Sequence, residues 1–159
     1  MKDGNILKVG TNEMELVDFR ILKEEDGRIY EGIYGVNVAK VREIIRKPRL
    51  TELPGVSAFI EGIFDLRGTV IPLIDLRLKF GLPSEKMTEN SRFMVMKNET
   101  ETAGFVIDRL TEAIRLKKHE IGPAPETAMQ EKTMIEGVGK QNDKILTILK
   151  VDKLLERDF

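Results

Sequence analysis

The strongest constraint on how this chain folds is that it repeats itself. "GVNVAKVREII" (35–45) returns sixty-nine residues on as "GFVIDRLTEAI" (104–114). That spacing pairs Gly35 with Gly104, Val38 with Ile107, Val41 with Leu110, Glu43 with Glu112 and Ile45 with Ile114. It also pairs Pro54 with Pro123. Further matches keep the same order: "LVDFRI" (16–21) with "RFMVMK" (92–97), "IEGI" (60–63) with "IEGV" (135–138), and "VIPLIDLRL" (70–78) with "TILKVDKLL" (147–155). Matches in one order point to a duplicated unit, with copies over about 16–80 and 92–155.

Each copy reads as β-structure. "MELVDFRI" (14–21) alternates as a half-buried strand does, and "EEDGR" (24–28) supplies an Asp-Gly turn. "YEGIYGVNVAKV" (30–41) reads as strand with a helical latter half. "RKPRLTELPG" (46–55) holds two prolines and reads as loop. "SAFIEGIFDL" (57–66) predicts a short helix running into a strand. "TVIPLIDLRLKFG" (69–81) predicts a strand and a helical turn ending at Gly81. "LPSEKMTENS" (82–91) is a polar connection, and residues 1–13 are a loose lead-in. Several short strands in a unit this small suit a five-stranded barrel. A unit of about 60 residues buries only about 60% of its unfolded surface. The two copies are therefore expected to share an apolar interface, with a pseudo-two-fold axis and a groove between them.

Composition removes whole classes of function. The chain has 26 Lys+Arg against 27 Asp+Glu, so it lacks the basic excess of a nucleic-acid binder. It has no cysteine, which excludes disulfides, thiolate catalysis and zinc-thiolate sites. Its first residues carry no signal-peptide core, and no apolar run reaches the ~18 residues of a membrane span. A soluble, cytoplasmic protein without direct membrane insertion is expected.

The familiar catalytic and binding motifs fail one by one. His119 is the only histidine and sits in the charged "LKKHEIG", so no metal site or histidine base is expected. Ser57, Ser84 and Ser91 are not in a G-x-S-x-G elbow. "GVGKQN" (137–142) carries Gln141 where a phosphate loop needs Ser or Thr. Asp65 and Asp75 read as turn and cap residues. No cofactor is implied. What remains is Glu43, ending an amphipathic segment, and Arg67, opening a Leu66-Arg67-Gly68 turn. They read either as a surface ion pair or as recognition groups, since arginine offers a planar fork of donors and is enriched at interface hot spots.

"YGVNVAKVREI" (34–44) followed by "LPGVSAFIEGIFDLRGTVIPLIDLRLKFG" (53–81) closely resembles the signature of CheW-like chemotaxis coupling domains. "GFVIDRLTEAIRL" (104–116), "PAPE" (123–126) and "IEGVGKQNDKILTILKVDKLL" (135–155) continue it in order, so the resemblance covers residues 14–156. It implies two five-stranded SH3-like β-barrels around a shared hydrophobic core, with short helices. It implies a non-enzymatic adaptor joining the cytoplasmic tip of methyl-accepting chemoreceptors to the regulatory domain of the histidine kinase CheA. It also implies packing with other CheW-like domains in rings. Carried over residue by residue, the receptor-contacting groove falls on Val38, Val41, Glu43, Gly62 and Arg67. The repeat adds Ile107 and Leu110 as the other wall. No kinase-contacting residue is assigned. Asp65-Leu66-Arg67-Gly68, where plain CheW proteins more often read Asn-Leu-Arg-Gly, makes the chain look more like the N-terminal domain of CheV, which carries a receiver domain after it. The regulatory domain of a CheA kinase is the alternative; an unrelated small-barrel ligand-binding module, lacking a basic aromatic groove, is a weaker one.

Overall fold

The computed structural model describes residues 13–56, 58–83, 86–124 and 134–156, with Glu112 described by its backbone only. In chain order the elements are β1 (Glu13–Glu25), β2 (Arg28–Asn37), β3 (Val41–Arg46), β4 (Ile60–Leu66), β5 (Thr69–Ile74) and α1 (Leu76–Lys79). They continue with β6 (Arg92–Lys97), β7 (Thr102–Ile107), β8 (Arg109–Lys117), β9 (Ile121–Gly122), β10 (Ile135–Gln141), β11 (Lys144–Leu149) and α2 (Val151–Leu154). A 3-10 turn at Val38–Lys40 is the helical end expected of the Tyr30–Val41 stretch. The helix expected before β4 is not there: Ala58 and Phe59 form a turn, and Ser57 lies outside the described residues. So do residues 1–12 of the lead-in, Ser84 and the end of "PAPE".

The strands form two sheets, ordered β8-β1-β2-β11-β10-β9 and β3-β6-β7-β5-β4. The described residues are mainly β with two short α-helices, as expected. The orders correspond one for one when β8, β1, β2, β11 and β10 are laid on β3, β6, β7, β5 and β4. The two-residue β9 beside Val138 takes the place of the Thr51–Ile63 bridge. Each sheet therefore draws strands from both sequence copies: β1 and β2 sit with β8 to β11, while β6 and β7 sit with β3 to β5. One copy does not build one half. The chain crosses between sheets twice, through Val38–Lys40 and at Asp108.

The junctions carry the matched glycines. β11 runs parallel to β2 with Ile148 opposite Gly35, and β5 runs parallel to β7 with Leu73 opposite Gly104. Gly62 and Gly137 mark the β-bulges of β4 and β10. A Cβ on Gly62 would lie 2.5 Å from the Thr51 carbonyl oxygen, and one on Gly137 would lie 2.8 Å from that of Gly122. Backbone is crossing backbone at both, so only glycine fits. Gly62→Ala is accordingly expected to cost about 1–3 kcal/mol. Gly122→Ala, where a Cβ has open space, is the neutral control in urea unfolding.

Three apolar clusters account for the burial. The largest lies between the sheets and gathers Phe19, Val36, Met94, Met96, Phe105 and Ile107 with Leu76 and Leu154 from the two helices. Phe64, Ile71, Leu73, Phe93 and Val95 pack on the other face of one sheet, and Leu16, Leu116, Leu146 and Ile148 on the other face of its partner. Both faces of each sheet are thus covered. This is why β1 is buried continuously from Leu16 to Phe19 instead of alternating as its sequence suggests. A strand with cover on both sides gains from apolar residues at every position.

Candidate functional site

Arg67 and Gly68 form the two-residue turn joining β4 to β5, and both have positive φ, 49° and 88°. This is the signature of a type I′ hairpin turn, whose twist suits paired strands. The β1–β2 turn (Asp26, Gly27) and the β10–β11 turn (Asn142, Asp143) have the same signature. Asn, Asp and Gly tolerate left-handed backbone. Arg67 is the one residue among these six turn positions from outside that group. Local turn chemistry does not choose arginine here.

What the turn does is present the guanidinium. Arg67 Nη1 donates to Glu43 Oε1 at 3.2 Å, and Nη2 donates to Glu43 Oε2, a two-pronged pair. Glu43 lies in β3, opposite Val95 and just after the β-bulge at Arg42. The Glu43 side chain is only 21% exposed, while that of Arg67 is 67% exposed. The carboxylate is therefore the seated partner and the arginine the free one. An ion pair this open contributes at most ~1 kcal/mol to stability, so its worth lies in the orientation it gives Arg67.

The other expected residues separate into groups. Val38 is 37% exposed on the 3-10 turn, and Leu110 is 39% exposed on β8 opposite Phe19. Val41 is half-buried against the inter-sheet core. Gly62 is buried where Thr51 crosses β4. Ile107 has no exposed surface and belongs to the inter-sheet core, so its role is packing. Of the seven, only Glu43 and Arg67 are joined through their side chains by a polar contact, while the Val41 backbone N–H donates to the Val38 carbonyl.

Two buried polar features escaped the sequence reading. Asp108, at the second crossover, pairs with Arg77 Nη2 and accepts from Leu22 N at 2.6 Å. Asp18 is fully buried in β1, with Lys144 and Arg20 as ionic partners. Its only signal was an acid inside the apolar "LVDFRI". Across the sheets, Asp152 of α2 accepts from Asn98 Nδ2 at 3.0 Å and lies 3.6 Å from Lys40 Nζ, tying α2 to the first crossover.

Beside that tie, desolvation raises the pKa of the surface residue Glu136 above its ordinary value; Lys150 opposes this and Asp152 adds to it. The native protein then holds this proton to higher pH than the unfolded chain. Stability associated with the group is lost as pH rises through the raised value. Glu136→Gln is expected to raise the melting temperature only slightly at pH 7, because the side chain is exposed and its interactions are screened, and to leave it unchanged near pH 4, where both states are largely protonated.

No group of three or more His, Cys, Asp or Glu among the described residues could hold a metal ion. No helix among them is long and apolar enough to cross a membrane.

Two β-sheets sharing a core, with a glutamate-seated arginine on a hairpin turn, define a class of β-domain, and comparison places the chain within it. Residues 19–159 match the family model described as "CheW-like domain". Chemotaxis protein CheW of Helicobacter pylori is 44% identical over 126 residues, covering 79% of this chain and 76% of that protein. Chemotaxis protein CheV3 of the same organism is 40% identical over 159 residues, covering 98% of this chain and 50% of that protein. The crystal structure of scaffolding protein TtCheW from Thermoanaerobacter tengcongensis superposes with a TM-score of 0.77 at 30% identity, covering 91% of this chain and 88% of that one. The chain belongs to the CheW-like domain family. It spans half the length of its CheV3 relative.

Proposed function

We propose that this protein is a non-enzymatic chemotaxis adaptor that couples methyl-accepting chemoreceptors to the regulatory domain of the CheA kinase, in the cytoplasm and within receptor arrays. The observation that carries the reading is the Glu43–Arg67 pair. It holds a highly exposed guanidinium on a turn whose backbone favours another residue. Val38 on the first crossover and Val41 at the start of β3 supply the apolar part of the surface, and Leu110, on β8 just after the second crossover, is the residue that the repeat assigns to the other wall. Gly62 supports that surface through backbone packing, and Ile107 acts from beneath as core. The physical mode is helix-in-groove: apolar side chains receive a receptor helix while the charged pair at the rim fixes its register. Membership of a CheV-type protein is supported by the match across 98% of this chain and by the Asp65-Leu66-Arg67-Gly68 phrase.

Titration of the folded protein with a receptor signalling-tip fragment, and separately with the CheA regulatory domain, tests the reading by calorimetry. Saturable binding to both is expected. Folded protein that binds neither ends it.

A further inference from the structure

A second charged surface lies at the far end of β3. Arg46 and Arg92 are direct cross-strand partners in the β3–β6 ladder. Like charges set opposite one another destabilise a sheet, so a local reason for the pair is needed. Among the described residues no carboxylate pairs with Arg46, Lys47, Arg49 or Arg92. Arg46 and Lys47 are exposed and, with Arg92, line a concave surface whose only acid among the described residues is Glu89. The chain as a whole carries a net charge of −1, so this is a local concentration of cations.

The surface is also fixed in shape. Arg92 Nη1 donates to the carbonyls of Glu89 at 2.8 Å and Ser91 at 2.9 Å, which pins its guanidinium. Buried Ser91 accepts from Thr88 N at 2.9 Å, and Asn90 N donates to Thr88 Oγ1 at 3.2 Å, bracing the facing segment. A pinned guanidinium beside a second, unpartnered one is ready to take a carboxylate with little ordering cost.

We propose that this notch, formed by Arg46, Lys47 and Arg92, docks an acidic segment of a protein partner. The chemistry favours a polypeptide over other anions. A single phosphate group is best held by free backbone N–H groups, and those of Thr88 and Asn90 are already engaged. Nucleic acid calls for aromatic stacking platforms, and among the described residues no aromatic one lines the notch. A shallow surface with several separated cations matches carboxylates spaced along an extended chain. The site is separate from the Glu43–Arg67 pair: Glu43 and Arg46 lie on opposite faces of β3.

Fluorescence anisotropy with a labelled ten-residue Asp/Glu peptide and its Asn/Gln counterpart tests the proposal on the full chain. The acidic peptide is expected to bind, and to weaken at least about fivefold between 50 and 300 mM NaCl because exposed charges are screened. Arg46→Glu should weaken it at least about tenfold. The same substitution should hold or raise the melting temperature, since it sets opposite charges across β3 and β6. Lys47→Glu, in the adjoining loop, should act in the same direction. Arg67→Asn should leave this binding unchanged, so failure here is distinguishable from failure of receptor binding. Equal binding of the neutral peptide, no loss in the Arg46 and Lys47 variants, or equally tight binding of inorganic phosphate would each overturn the proposal.

Discussion

Arg77→Met should destabilise the protein by about 3–5 kcal/mol, the range expected when one partner of a buried ion pair is removed. For a domain of this size that lowers the melting temperature by roughly 10 °C. Arg77 is 7% exposed and the Asp108 side chain 12% exposed. The guanidinium reaches from α1, which follows β5 of one sheet, to the Leu22 carbonyl in β1 of the other and to Asp108 at the crossover between them. Asp75 starts the same helix by accepting from Arg77 N at 2.9 Å. Methionine fills much of the arginine volume, so packing loss is small and the cost comes from the carboxylate left behind. Asp108→Asn should cost less, about 1–2 kcal/mol, because its amide oxygen still accepts from Leu22 N. Urea unfolding with an unchanged m-value measures both. A Met variant within 1 kcal/mol of the parent would mean Arg77 does not hold the sheets together.

The corresponding place beside the other crossover holds Asp152, Lys40 and Asn98, and there Asp152 is exposed. The asymmetry bears on how the repeat was read. Aligning "VIPLIDLRL" with "TILKVDKLL" sets Asp75 against Asp152. The structure sets Asp75 against Lys150 and Arg77 against Asp152, because α1 and α2 start one residue after Asp75 and Lys150. Gly62 and Gly137 keep that same spacing. Identity of the acids misled the alignment by two residues, while the glycines, placed by backbone contact, did not. The strand exchange between copies was illegible for a different reason. Hydrophobic pattern says which residues are buried, not whether β3 pairs within its own copy or with β6 of the other. Asp75, which reads as a cap residue in the sequence, does cap α1. The basic notch was present in the sequence as "RKPR", but its meaning needed Arg92, more than forty residues away, to be placed opposite Arg46.

Arg67→Asn should weaken receptor-tip binding at least about tenfold, a loss in the range of interface hot spots. It should at the same time leave the protein as stable as before, or more so. The two halves of this expectation have separate causes. Asparagine is favoured at a position with φ near +50°, where a longer L-side chain is held at some cost in backbone strain. The turn and its Gly68 N to Asp65 Oδ2 bond, 3.3 Å, are retained. The Glu43 pair is lost, but it is exposed enough to contribute little. What disappears is the guanidinium at the rim. Arg67→Lys separates charge from shape: it keeps the cation but not the two-pronged pairing with Glu43, so intermediate binding is expected. Glu43→Gln removes the partner that orients Arg67 and should weaken binding with Arg67 itself intact. Melting curves and receptor-tip calorimetry on the three variants read the two quantities independently. If stability falls with affinity in Arg67→Asn, the arginine belongs to the scaffold. If affinity holds in all three, the turn is not where the receptor binds.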